Sequence, residues 1–256
     1  MNFAAFPPER LQALRQRYAQ PAVMLSLRTV RDFCDSMDHL PELATIQNDL
    51  KDSQRPWTFK AILGNVPVGG RILEIGAGEP YVAELLRRCG YDVTVVDPYD
   101  GSGRGPTEHA EFVARYPELK IVRDQFGTHL SDLPAGGYDA VYSISVLEHI
   151  PHPALRDVMA MSRRCLRPGG LHLHAVDHVF LGRGRDYHIA TLELLCGELG
   201  LPTTAVHALL GTVNDDPDVY LLAAEAHNRW RGAQAYDDFP MRRCLSVQYV
   251  VPQRAS

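Results

Sequence analysis

No apolar run in this chain reaches the roughly 18 residues that a membrane helix needs. The opening Met1-Asn-Phe-Ala-Ala-Phe-Pro-Pro has no basic segment ahead of an apolar one, so no secretory leader is expected. Excess positive charge is also missing: 26 Lys and Arg face 31 Asp and Glu, a net charge of −5. That leaves no electrostatic footprint for DNA or RNA. Cysteines are few, odd in number and never spaced C-x-x-C, at positions 34, 89, 165, 196 and 244. The pattern argues against a disulfide framework or a zinc site and for reduced thiols. Cys89 and Cys165 fall on the apolar faces of predicted helices, where core packing explains them. The sequence shows no internal repeat and no low-complexity segment. The expectation is a cytoplasmic protein with no membrane and no nucleic acid among its partners.

What is present points to a globular α/β protein, with 45% hydrophobic and 22% charged residues over 256 positions. The chain is organised around Arg71-Ile-Leu-Glu-Ile-Gly-Ala-Gly-Glu-Pro80. Ile72, Leu73 and Ile75 read as a strand buried on both faces. Gly76 and Gly78 let the backbone turn sharply and approach a ligand, and Pro80 pre-sets a helix that runs to Cys89. Strand, glycine turn and helix N-terminus together make a nucleotide-binding crevice. A second strand, Asp92–Asp97, ends in a carboxylate about twenty residues past the glycines, where ribose hydroxyls need an acceptor. Dinucleotide enzymes place a third glycine where this chain has Tyr81, and Glu79 adds negative charge beside a would-be pyrophosphate. Glu74, by contrast, suits a ligand with an ammonium group, a ribose and no phosphate, as in S-adenosyl-L-methionine.

Residues 1–66 are expected to form an N-terminal helical extension: 8–18, 23–37 and 57–63 carry apolar residues at helical spacing. It is either a cap over the open end of the site or a packing layer. After Asp97, residues 98–106 are rich in turn residues and read as a loop; Arg104 within it is an anion ligand or, more commonly for such loops, solvated. Thr107 is a candidate N-cap of a helix reaching Tyr116. Lys120–Arg123 is the third strand, with Asp124, Gln125 and Phe126 directly behind it. Tyr138–Ser145 is the fourth, delivering Val146-Leu-Glu-His-Ile150 to the sheet edge. A helix over 153–166 breaks at Arg167-Pro-Gly-Gly170 and leads to a fifth strand, 171–176. A helix at 189–199 follows, and then 203–210 and 219–226 read as an antiparallel strand pair. Residues 227–256 form a C-terminal extension whose segment 245–251 reads as a further strand or edge cover.

The segments Leu73–Gly78, Val95–Asp97, Tyr138–Ser143 with Val146–Ile150, and Leu166–Gly170 resemble the class I S-adenosylmethionine-dependent methyltransferases in order and spacing. The resemblance spans 67–226 and implies a doubly wound, mostly parallel seven-stranded sheet whose last strand is antiparallel. It assigns Glu74 and the backbone of Gly76, Ala77 and Gly78 to the methionine part, Asp97 to the ribose, and Asp124 with the Gln125 amide to the adenine, with Pro98 also among the cofactor-binding residues. Phe126 would cover that ring, and carbonyls near Ser143 and Ile144 would face the ammonium. The loop 98–105 is longer than the family's usual connection.

Methyl transfer to a hydroxyl needs proximity above all, and a base where the oxygen must lose its proton. His149, past the fourth strand, is a candidate base or a water-binding structural residue. Asp177 and His178, past the fifth strand and followed by His188, could abstract a proton or, less readily, hold a divalent metal; no metal ligand is assigned. His172 and His174 read as buried and hydrogen-bonded. The polar segment with Arg183, Arg185 and Tyr187 suits a small hydroxylated acceptor, a sugar or secondary-metabolite-like molecule, with O-methylation ahead of N-methylation. A non-catalytic scaffold that keeps the cofactor fold is the reading from another class.

Overall fold

The computed structural model describes residues 6–19, 21–45, 49–102, 105–127, 133–223 and 244–254. Arg104, Trp230 and the end of the expected strand 219–226 lie outside them. The helices are α1 (Pro8–Arg17), α2 (Val30–His39), α3 (Lys51–Asn65), α4 (Tyr81–Arg88), α5 (His109–Arg115), α6 (His152–Cys165), α7 (Arg185–Leu199) and α8 (Thr203–Gly211). The strands are β1 (Leu25–Leu27), β2 (Arg71–Ile75), β3 (Asp92–Asp97), β4 (Lys120–Arg123), β5 (Tyr138–Ile144), β6 (Leu166–Val179) and β7 (Cys244–Pro252). They form a seven-stranded sheet in the order β1-β7-β6-β5-β2-β3-β4. The chain divides into two compact units: Met1–Ala22 with Thr58–His174 and Val250–Ser256, and Val23–Trp57 with Ala175–Tyr249.

In the first unit β2 runs parallel to β3 and β5, and β3 parallel to β4. The chain therefore winds from β2 outward through β3 and β4, then returns to lie on the other side of β2. The order reverses between β2 and β5, as expected. Ile72, Leu73, Val95, Val96, Ala140 and Val141 are buried, which is why these strands read as unbroken apolar runs. Helix α4 buries Tyr81, Val82, Ala83, Leu85 and Leu86 in its first two turns. Its buried Glu84 is tolerable because Arg87 and Arg88 hold it at 2.6–3.1 Å. Burial pushes that carboxyl up, but the hydrogen bonds from Arg87 and Arg88 outweigh it and leave the group below its ordinary range. At the far end of the sheet Gly169 N–H donates to Gln253 O, and Gln253 N–H to Gly170 O. The end of β7 thus meets the start of β6, and the last strand is antiparallel.

In the second unit the antiparallel partner of β7 is β1, with Leu25, Ser26 and Leu27 opposite Tyr249, Gln248 and Val247. The expected helix over 23–37 is therefore split. Leu25–Leu27 is a strand, and Thr29 then caps α2 by accepting the Asp32 N–H at 3.1 Å. Residues 203–210 form a helix rather than a strand, because Val206 and Leu210, one turn apart, are its buried positions. Val219 and Leu221 make isolated bridges to Thr29 and Leu245 instead of a hairpin. Helix α3 begins at Lys51, ahead of the expected Trp57, and carries Pro56 inside it. In the first unit α5 is capped at Glu108 rather than Thr107.

Leu86 is fully buried on α4. Leu86→Ala is expected to lower unfolding stability by about 2–5 kcal/mol, read as a lower urea midpoint at unchanged slope. A loss below about 1 kcal/mol would place α4 outside the core.

Candidate functional site

Residues 76–78 carry the chain from β2 into α4. Gly76 and Gly78 have φ of +66° and +58°, where side chains are disfavoured. A Cβ on Gly76 would lie 2.7 Å from Val146 Cγ1, so space as well as conformation requires the glycine. Val146 follows Ser145, which itself holds φ +55°. A non-glycine residue there costs about 1–3 kcal/mol and persists only where its surroundings fix it. The ends of β2 and β5 meet at this contact, the point where ligands bind in open α/β sheets.

Asp97, at the end of β3, is 7% exposed. Its Oδ2 accepts the Gly78 N–H at 2.9 Å and its Oδ1 the Tyr99 N–H at 2.8 Å. Each oxygen keeps a second lone pair, which a pair of vicinal hydroxyls can use. Tyr99 hydroxyl in turn donates to Gly78 O at 3.0 Å. Tyr99 has φ +46° and is 1% exposed, with its ring against His109 and Phe112. Burial pushes its hydroxyl far above the ordinary tyrosine value, with Asp97 and Glu74 adding to the shift. No pattern in the sequence singled Tyr99 out.

Glu74 is buried in β2, opposite Tyr142 of β5. Burial, and then the charge and hydrogen bond of Glu74, push the Tyr142 hydroxyl up as well. Asp124 N–H donates to Asp97 O at 3.2 Å, which sets Asp124 and Gln125, both exposed, beside the Asp97 corner. Phe126 is buried, whereas Pro98 and Ala77 are half-buried. Glu79 is engaged by Arg115 Nη1 and the Tyr116 hydroxyl, each at 2.7 Å, so its charge is largely offset. What disfavours a phosphate here is the commitment of the Gly78 N–H to Asp97.

At the end of β5, Ser143 hydroxyl pairs with His174 Nδ1 at 2.9 Å. The Ser143 side chain is thereby engaged within the core. His172 Nε2 meets Gln253 Oε1 at 3.0 Å, so both strand histidines are buried and hydrogen-bonded as expected. His149 sits on a 3₁₀ turn over Leu147–His149, with its side chain 42% exposed and Nε2 3.9 Å from the buried Glu148. The Glu148 partner was not anticipated.

In the second unit Asp177, His178 and His188 do come together. Gln54 Nε2 donates to Asp177 Oδ1 and to Ser246 Oγ, each at 2.7 Å. His188 Nδ1 donates to Asp177 O at 2.9 Å, and its ring stands edge-on to His178. His178 is 1% exposed, and its Nδ1 has no hydrogen-bond partner among the described residues. Burial, with His188 and Arg185 adding to it, lowers its pKa to about 3. A neutral ring of that basicity holds a proton poorly. Arg183, Arg185 and Tyr187 are exposed. Among the described residues no group of His, Cys, Asp and Glu could hold a metal ion, and no helix is long and apolar enough to cross a membrane.

A family model described as a methyltransferase domain matches residues 29–241. A ubiquinone biosynthesis O-methyltransferase of Nitrosococcus oceani is 35% identical over 103 residues, 40% of this chain and 41% of that protein. One from Xanthomonas axonopodis is 32% identical over 112 residues, 41% of each chain. The chain spans two fifths to half of the length of the curated relatives it matches. Among solved structures, a Burkholderia thailandensis 1,6-didemethyltoxoflavin-N1-methyltransferase with bound S-adenosylhomocysteine aligns with a TM-score of 0.51 at 16% identity. That alignment covers 100% of this chain and 94% of that one, and it shows the fold.

His172 and His178 have pKa values lowered by burial to about 4 and about 3, and burial, with His172 adding to it, lowers His174 well below its ordinary value. Each depressed value means that the unfolded chain binds the proton first, from the ordinary value of 6.5 downward. Stability from these groups is present above that value and is lost as pH falls toward their folded values. The loss is up to about 1.4 kcal/mol per pH unit per histidine. Urea midpoints are expected to fall between about pH 7 and 5, less steeply in His172→Gln; equal midpoints would contradict the burial.

Proposed function

The chain belongs to the methyltransferase domain family, and from that premise we propose that it transfers a methyl group from S-adenosyl-L-methionine to a hydroxyl of a small molecule. The observation that carries this reading is the Asp97 carboxylate. It is held by two backbone N–H groups at the glycine turn with a lone pair spare on each oxygen. In this reading the ribose hydroxyls bind Asp97 with Pro98 beside them. The backbone of Gly76, Ala77 and Gly78 with Glu74 holds the methionine part, and the Ser143 and Ile144 carbonyls take its ammonium. Asp124 and the Gln125 amide take the adenine edge, on the Phe126 side. The cofactor supplies an electrophilic methyl on a sulfonium.

The acceptor is a sugar or secondary-metabolite-like molecule, methylated on oxygen. The relatives named O-methyltransferases favour oxygen over nitrogen. The exposed imidazole of His149 takes the acceptor's proton, and the neighbouring Glu148 carboxylate offsets the charge that arrives with it. Within the second unit Gln54 orients the Asp177 carboxylate, and His178, held neutral, is suited to hydrogen bonding rather than to proton abstraction.

Calorimetry is expected to show binding of S-adenosylhomocysteine and none of NAD. Asp97→Ala should weaken that binding by about 1.5–3 kcal/mol, the range for hydrogen bonds to a charged group. Incubation with methyl-labelled cofactor and a metabolite extract should label a small hydroxylated product, and the label should disappear in His149→Ala. NAD binding with no response to S-adenosylhomocysteine would overturn the cofactor. Label confined to protein or RNA would overturn the acceptor, and no turnover with any extract would favour a scaffold.

A further inference from the structure

The geometry points to Tyr99 as a positioning residue that holds the glycine turn in its ligand-binding shape before any ligand arrives. This rests on the reading that Gly76–Gly78 and Asp97 hold the cofactor. Three hydrogen bonds close a small ring at the turn. Gly78 N–H donates to Asp97 Oδ2, Tyr99 N–H donates to Asp97 Oδ1, and Tyr99 hydroxyl donates to Gly78 O. Both polar groups of the Gly78 peptide positions that flank the turn are thereby satisfied from one direction.

Tyr99 makes two of the three bonds from a backbone at φ +46°. In that left-handed conformation the N–H reaches the carboxylate while the hydroxyl reaches the glycine carbonyl. The ring is packed against His109 at 5.3 Å and Phe112 at 5.7 Å, which holds the strained backbone in place. The hydroxyl is a constant donor: burial, with Asp97 and Glu74 nearby, keeps it protonated across the physiological range.

The consequence is thermodynamic. A glycine turn is the most conformationally free kind of backbone, and ordering it on binding subtracts from affinity. With Tyr99 in place that ordering is already complete in the free protein, and the Asp97 oxygens already point where the hydroxyls arrive.

The test compares Tyr99→Phe, Tyr99→Gly and Asp97→Ala with the parent protein, using S-adenosylhomocysteine as the probe. Tyr99→Phe keeps the ring and the backbone and loses only the bond to Gly78 O. It is expected to raise the dissociation constant about tenfold, with a less favourable binding entropy, while the melting temperature of the free protein stays within a few degrees of the parent. Hydrogen exchange supplies the readout that a general loss of stability would not move. In Tyr99→Phe the peptide spanning Gly76–Gly78 should exchange faster in the free state and regain parental protection when bound. Tyr99→Gly, which relaxes the backbone and drops the ring, should bind more weakly still. Unchanged affinity in Asp97→Ala would overturn the cofactor reading and this inference with it. Weakened Asp97→Ala beside an unchanged Tyr99→Phe would overturn this inference alone. In the parent protein, which needs no variant to fold, protection of Gly76–Gly78 that appears only on ligand binding would also overturn it.

Discussion

The contact between Gly76 and Val146 sets the terms for everything around it. A hydrogen at Gly76 is all that the Val146 side chain leaves room for, since a methyl would sit 2.7 Å from Cγ1. The two residues follow β2 and β5, adjacent strands whose chains arrive from opposite ends of the winding. Both segments adopt positive φ, at Gly76 and at Ser145. The winding reverses between these two strands, and such a switch point is where open α/β sheets form a ligand crevice. The strain at Ser145 and Tyr99 is concentrated at this corner, which is where over-determined backbone is expected in a site.

The same corner decides what kind of ligand it can read. A helix N-terminus behind a glycine turn ordinarily offers its free N–H groups to a phosphate. Here the Gly78 N–H is committed to a carboxylate of the protein, which also brings negative charge to the spot. The negative charge of Glu79 contributes less, because Arg115 and Tyr116 hold that side chain. In the proposed reading, recognition falls to acceptor groups, Asp97 and the carbonyls at the end of β5, and acceptors select hydroxyls and ammonium groups over phosphates.

The parallel core was legible because its strands are local, continuous apolar runs bounded by glycine or acidic ends. Ile72, Val95 and Val141 are buried as those runs require. The edge of the sheet was not legible, for a physical reason. β1 has three residues and is recognisable only through its pairing with β7, more than two hundred positions later. Nothing local distinguishes Leu27, Val30, Phe33 and Met37 from one continuous amphipathic helix, since the break at Thr29 is made by a cap and a distant bridge. Residues 203–210 read as one of two strands around a turn-rich segment, but they form a helix whose buried positions, Val206 and Leu210, lie one turn apart. Within the site, the carboxylate at the end of β3 was predictable from spacing. Tyr99 was not, because its role depends on a left-handed backbone that tyrosine disfavours.

The histidines sort themselves by the same physics. His172, His174 and His178 alternate along β6 at positions that share a strand face, and all three are buried. Desolvation keeps each of them neutral, so in the folded protein they act as hydrogen-bonding shapes: His174 orients Ser143, and His172 is tied to Gln253. His149 differs because the chain leaves β5 through a tight 3₁₀ turn, which projects its ring toward solvent while burying the Glu148 carboxylate next to it. An imidazole that exchanges protons with water and has a carboxylate at its side can turn over repeatedly. A sealed neutral ring cannot return its proton without opening the core. Burial thus separates the histidines of β6 from His149, the exposed residue to which the proposed reading gives the proton transfer.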